Sequence, residues 1–137
     1  MQQTPIATMN IHHLGLTVPD VHAARDFFVA ALGFEQVAER PAYPAVFVSN
    51  GHVMLTLWQA EDPDNAQPFD RRNNIGLHHF ALRVEDADSL TALHGQLAAR
   101  DDVNIEFAPE TIGDGPTRHM MCRIPGNLRV EFIAPAG

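Results

Sequence analysis

Eight histidines stand in a chain of 137 residues that has one cysteine and no lysine. Imidazole is the commonest metal-binding side chain and the one whose charge changes near neutral pH. These histidines are not scattered. Residues 12–20 read HHLGLTVPD and residues 78–86 read HHFALRVED, so both histidines, a leucine, a valine and the closing aspartate recur 66 residues apart. Apolar and other residues alternate in both copies, the period of a half-buried strand. Burying Leu14, Leu16 and Val18 sends His13, Gly15 and Thr17 to the opposite face. Burying Phe80, Leu82 and Val84 does the same for His79, Ala81 and Arg83. In the last apolar run, Leu128, Val130 and Phe132 are the core set, and Arg129, Glu131 and Ile133 face the other way. Three strands thus each present one metal-ligand type: His13, His79 and Glu131.

Imidazole nitrogen combined with carboxylate oxygen suits Mn, Fe, Co, Ni or Zn, and three protein ligands leave positions for water or substrate. A mid-strand glutamate is costly to cover unless something cationic meets it. Taken singly, a strand histidine is more often a hydrogen-bonded residue than a ligand; the repetition is what joins the three. His12 and His78 have the wrong parity and read as strand-end hydrogen-bonding residues. His22 and His94 fall on helix surfaces, while His52 and His119 are further candidates to line a cavity. Arg83 shares the face of His79 and suits either an anionic substrate or a salt bridge. Setting Gly51 against Gly126 places Thr56 opposite Glu131, and Trp58 and Met54 share its face, as a cavity wall or as packing against a partner subunit; on the first reading Thr56 and Trp58 are candidate substrate-binding residues. Cys122 lies in an apolar strand and reads as inert.

The elements that must position these side chains follow the same repeat. Asp20 is a good N-cap for a helix striped by Val21, Ala24, Phe27, Phe28, Ala31 and Leu32, with Gly33 to end it. Asp86 caps a second helix carrying Ala87, Leu90, Leu93 and Leu97, weakened by Gly95 at a cost of about 1 kcal/mol. Strand-like runs follow in each half at Phe34–Glu39 and Ala45–Ser49, then at Val103–Phe107 and Thr117–Ile124, and each half closes on a glycine and an alternating strand. The pattern is βαβββ twice: an α+β domain spanning 1–137, with one module at about 9–59, a polar linker at about 60–76 and a second module at about 77–134. Paired modules of this kind are expected to build one curved mixed sheet around a metal-binding cavity, with residues 108–116 as a loop.

Composition narrows the partners. The net charge of −8, with all nine basic residues arginine, argues against nucleic acid and excludes lysine Schiff-base chemistry. The single cysteine excludes an internal disulfide framework. No apolar run approaches the roughly 20 residues of a membrane span. Met1-Gln2-Gln3-Thr4 lacks a charged, apolar leader, which makes a cytoplasmic protein the expectation.

The chain resembles the vicinal oxygen chelate superfamily, which includes glyoxalase I, bleomycin-resistance proteins, fosfomycin-resistance thiol transferases and extradiol dioxygenases. The resemblance rests on His13-Leu-Gly-Leu-Thr-Val-Pro-Asp20, Phe27-Phe28, Leu32-Gly33-Phe34, His79-Phe-Ala-Leu-Arg-Val-Glu-Asp86 and Pro125-Gly-Asn-Leu-Arg-Val-Glu131-Phe, and covers residues 9–134. It implies that His13, His79 and Glu131 hold one divalent metal ion, and that a glyoxalase-like lyase or isomerase acts on a small vicinal-oxygen substrate through an enolate or oxyanion. It also implies that Glu131 doubles as the catalytic proton carrier and that the protein is a homodimer. The fourth metal position of glyoxalase I falls on Thr56, which argues against lactoylglutathione chemistry proper. Thiol transferases carry threonine where this chain has Gly15, and dioxygenases carry a tyrosine ahead of the last strand that is missing from Met120–Arg123. A metal-free binding protein of the bleomycin-resistance type is the alternative from a different class, and a metal-dependent thiol transferase or dioxygenase is the other alternative.

Overall fold

The computed structural model describes residues 3–135. Each half folds as a βαβββ unit. The first contains β1 (His13–Val18), α1 (Val21–Leu32), β2 (Glu35–Arg40), β3 (Ala45–Ser49) and β4 (Met54–Gln59). The second contains β5 (Phe80–Arg83), α2 (Ala87–Ala98), β6 (Asn104–Thr111), β7 (Arg118–Ile124) and β8 (Leu128–Ala134). Both sheets are mixed, ordered β1-β4-β3-β2 and β5-β8-β7-β6, with a parallel first pair and antiparallel hairpins beyond it. Hydrogen bonding therefore divides the expected curved sheet into two four-stranded ones.

Local chemistry accounts for the elements. The Asp20 carboxylate accepts from the amides of His22 and Ala23, and Gly33 ends α1 with φ 72°, a left-handed conformation open to glycine. Asp86 accepts only from the amide of Ser89, and α2 stops at Ala99 without a left-handed residue. Each helix covers one face of its sheet. Val21, Ala24, Phe27 and Phe28 pack onto Leu16, Val18, Val46, Val48, Leu55 and Leu57. Leu90 and Leu97 pack onto Met120, Cys122, Val130 and Phe132. No helix among the described residues is long and apolar enough to cross a membrane.

One boundary differs from expectation, and one strand is unusually exposed. Strand β6 runs on through Thr111 into the segment read as a loop, because register shifts between Ile105 and Phe107 and between Phe107 and Glu110 absorb its irregular pattern. Strand β2 is exposed along its whole length, so its side chains carry little of the alternation that marks a strand.

The modules meet end to end in opposite senses. A Cβ on Gly126, just before β8, would lie 3.2 Å from Pro19 Cδ, just past β1. Asn50, His52 and Val53, ahead of β4, share a groove with Ala81–Glu85 at the end of β5. Since β4 runs with β1 and β8 with β5, strands β1 and β5 point in opposite directions across the seam.

Candidate functional site

The turn between β7 and β8 fixes the site in the second module. Pro125 and Gly126 form its corner, closed by the Asn127 amide donating to the Ile124 carbonyl at 2.8 Å, with Gly126 at φ 87°. That turn sets Met121 opposite Glu131 and His119 opposite Ile133. Directly paired residues share a face, so His119 and Glu131 are diagonal neighbours on the face away from α2. On the parallel side, Ala81 faces Glu131 and its small side chain leaves the carboxylate room.

The Glu131 carboxylate lies between two imidazoles. His79 Nε2 is 3.0 Å from Oε1, and His119 Nδ1 is 2.6 Å from Oε2. The side chains are largely covered, at 12% exposure for Glu131, 19% for His119 and 32% for His79. The Phe107 ring packs against His119 at 4.9 Å and fixes its plane. Behind His79, its Nδ1 is 2.7 Å from His78 Nδ1, and Arg129 Nη1 approaches that same His78 nitrogen at 3.5 Å. A guanidinium only donates. Its approach favours His78 Nδ1 as an acceptor, which puts the hydrogen of the histidine pair on His79 Nδ1; the 3.0 Å contact of His79 Nε2 with Glu131 Oε1 then needs a second imidazole proton or a cation between two acceptor atoms. The His78 pKa is lowered by partial desolvation and by the neighbouring His79, Arg129 and Arg71, which keeps the ring neutral for this role.

The geometry admits a cation at one edge of this cluster. Two ligand atoms each about 2.1 Å from one metal ion and at a right angle are about 3.0 Å apart, and His79 Nε2 and Glu131 Oε1 have that separation. The second carboxylate oxygen is held by His119, as outer partners commonly hold a ligating carboxylate. Among the described residues, no three His, Cys, Asp or Glu side chains are grouped as a metal would require. His13 explains why. It lies at the start of β1, beside Met54, with its Nδ1 2.8 Å from His12 Nδ1. The opposed strand directions place it at the far end of the seam from His79. Within one chain the structure brings His79 and Glu131 together and leaves His13 apart from them.

The remaining expected residues are placed as follows. Thr56 is 3% exposed, and its hydroxyl accepts from Trp58 Nε1 at 2.8 Å. Trp58 stacks edge-on with Tyr43 at 4.6 Å and lies against Phe47 at 5.6 Å. Arg83 is exposed at the end of β5, in the groove shared with His52 rather than beside Glu131. Cys122 is buried, and desolvation with the nearby Glu106 charge pushes its thiol up to about 12.

The sequence offers His119 only as a candidate to line a cavity, and two features lie beyond it. The first is the meeting of His119 with Glu131, which depends on the register that Pro125-Gly126 imposes on the hairpin. The other is a charged cluster on the same face: Glu106 accepts from Arg123 Nε at 2.9 Å, from Arg129 Nε at 3.0 and 3.2 Å, and from Arg71 Nη1 at 3.3 Å. Burial alone would raise the Glu106 pKa, but the hydrogen bonds from Arg123 and Arg129 and the charges of Arg129 and Arg71 outweigh it and lower the value. Arg71 comes from the linker, so no pattern within a strand announces it.

Comparison with known proteins gives a consistent picture. The family model described as "Glyoxalase/Bleomycin resistance protein/Dioxygenase superfamily" matches residues 10–132. A 2-epi-5-epi-valiolone epimerase from Actinomyces sp is 29% identical over 150 residues, covering 93% of this chain and 80% of the relative. The structure of a glyoxylase/bleomycin resistance protein/dioxygenase domain from Frankia sp. EAN1pec superposes with a TM-score of 0.79 at 19% identity, over 93% of this chain and 98% of that one. A lactoylglutathione lyase from Agrobacterium tumefaciens superposes with a TM-score of 0.68 at 24% identity, over 92% and 93% of the two chains.

Proposed function

The chain belongs to the glyoxalase/bleomycin resistance protein/dioxygenase superfamily, and on that premise we propose that it is a divalent-metal-dependent enzyme of the lyase or isomerase type. It moves a proton at a carbon beside two neighbouring oxygens of a small substrate. The observation that carries this reading is the 3.0 Å spacing of His79 Nε2 and Glu131 Oε1, with the far carboxylate oxygen held by His119. His79 and Glu131, completed by His13, would hold one Ni, Co, Zn, Mn or Fe ion. Such an ion supplies Lewis-acid stabilisation of negative charge on a substrate oxygen. The chain's own groups do the rest. Glu131 Oε2 is the atom at which a proton is held, and His119 Nδ1, 2.6 Å away, is the group that takes or returns it. The epimerase name of the Actinomyces relative favours isomerisation over other outcomes of the same chemistry.

The active unit in this proposal is a homodimer in which His13 of one copy meets His79 and Glu131 of the other. A two-fold axis brings the same two surfaces together twice, so it would complete two such sites at once. The N-terminal arm supports this. Ile6, Met9 and Ile11 are 94%, 91% and 76% exposed, close in sequence to His13, and such apolar side chains gain by burial against a second subunit.

Elemental analysis of purified protein and NMR exchange of substrate carbon-bound hydrogen in deuterated water test the proposal together. Near-stoichiometric metal in the wild type, lost in His13→Ala, His79→Ala and Glu131→Ala, is expected, with exchange of α-hydroxyketone protons lost in parallel. Equal metal content in all four proteins sinks it. Tight binding of a small molecule with neither metal nor exchange favours the binding-protein alternative.

A further inference from the structure

We propose that Arg71, Arg72 and Arg123 form a binding site for an oxyanion, a phosphate or carboxylate group, at the junction of the linker and the second sheet. A cavity of about 430 Å³ lies there, walled by these arginines together with Asp70 and linker residues such as Gln67 and Phe69. Four of the nine arginines of a chain carrying a net charge of −8 gather at this corner, Arg129 being the fourth. Unopposed, like charges so placed repel one another. Glu106 holds three of them: Arg71, Arg123 and Arg129 all donate to its carboxylate, which is itself 16% exposed.

The balance leaves positive charge over. Four guanidinium groups set against Glu106 and Asp70 give 4 − 2 = +2. The Asp70 carboxylate is engaged locally, accepting from the Arg72 amide at 2.9 Å. Arg123 uses Nε on Glu106 and Nη1 on Asn127 at 3.4 Å, and Arg71 uses Nη1 on Glu106. The Arg72 guanidinium has no hydrogen-bond partner among the described residues and borders the cavity. Each guanidinium carries five N–H donors in a planar fork that matches carboxylate and phosphate oxygens. Glu106 thus fixes two of the cavity arginines in place while leaving donors free, so an arriving anion need not order them. This site stands on the arginine geometry alone and does not depend on the metal reading.

Titration of the full-length protein with inorganic phosphate and, separately, with succinate at low ionic strength tests it, read by calorimetry and by arginine side-chain NMR signals. Saturable one-to-one binding of at least one of the two anions is expected, with shifts at Arg71, Arg72 and Arg123. The anion that binds tighter identifies the oxyanion. Arg71→Gln and Arg72→Gln should each weaken binding about tenfold or more, while His79→Ala and the helix-surface change Arg25→Gln leave it unchanged. Arg72 is exposed, so its variant keeps the test valid even if the Arg71 variant is less stable. Absence of saturable binding of either anion, or an affinity that falls as much in Arg25→Gln as in Arg72→Gln, overturns the proposal.

Discussion

The two modules share a backbone plan and differ in what their open faces carry. Both begin on a histidine pair with matching geometry: ring nitrogens 2.8 Å apart and centroids 5.1 Å apart in the first, 2.7 Å and 5.0 Å in the second. Both set a central strand parallel to the histidine strand. Beyond that the chemistry divides. Where the second module has Ala81 beside Glu131, the first has Gly15 beside Thr56. A Cβ at Gly15 would stand 3.1 Å from the Thr56 hydroxyl, so glycine there makes room for the Thr56–Trp58 hydrogen bond. One face became apolar and aromatic, while the other concentrated histidine, glutamate and arginine. The scaffold occurs twice, and the Glu131 and Glu106 clusters both lie in the second copy.

Subunit mixing breaks or sharpens that comparison most sharply. His13→Ala and His79→Ala homodimers should each be inactive. An equal mixture, allowed to exchange subunits, should recover about a quarter of the wild-type sites, because in the proposed dimer each mixed pair would hold one site with both histidines. No recovery would place both histidines in the same chain's site. Next in size, Glu131→Gln should lower activity more than about 100-fold, whereas Thr56→Val should cost less than tenfold, both read as kcat/KM. Comparable losses would erase the division of labour between the faces.

The cores should behave alike where the faces do not. Phe28 and Phe132 are both fully buried, and Phe28→Ala and Phe132→Ala should each cost about 3–5 kcal/mol in denaturant unfolding. Acid should separate the modules. The Glu106 pKa is lowered in the folded state, so its contribution is present above the unfolded glutamate value of about 4.3 and is lost as pH falls through the lower folded value. Glu106→Gln should therefore be less stable than wild type at neutral pH and converge with it in acid. A constant gap between the two proteins across that range would contradict the assignment.

The helices give the smallest effects. Asp20 satisfies two amides and Asp86 one, so Asp20→Ala should cost about 1 kcal/mol and Asp86→Ala less. A Cβ at Gly95 meets nothing within 4 Å, and Gly95→Ala should stabilise by about 0.5–1 kcal/mol. Thermal or denaturant midpoints of the three variants check the order.

The sequence by itself determined the repeat, both helices with their caps, and which side of each strand faces the core. Those properties follow from periods of 2 and 3.6 residues, which are local and can be read along the chain. The same alternation puts His13 and Glu131 on the faces turned away from the helices, where His13 is exposed and Glu131 meets His79. Tertiary structure alone decided which open-face groups meet. The β7–β8 turn brought His119 to Glu131, the folded linker carried Arg71 to Glu106, and the opposed run of β1 and β5 separated His13 from His79. Such distances depend on register, turn geometry and the packing of one module on another, and these are set by contacts between residues tens of positions apart that leave no periodic mark on the chain.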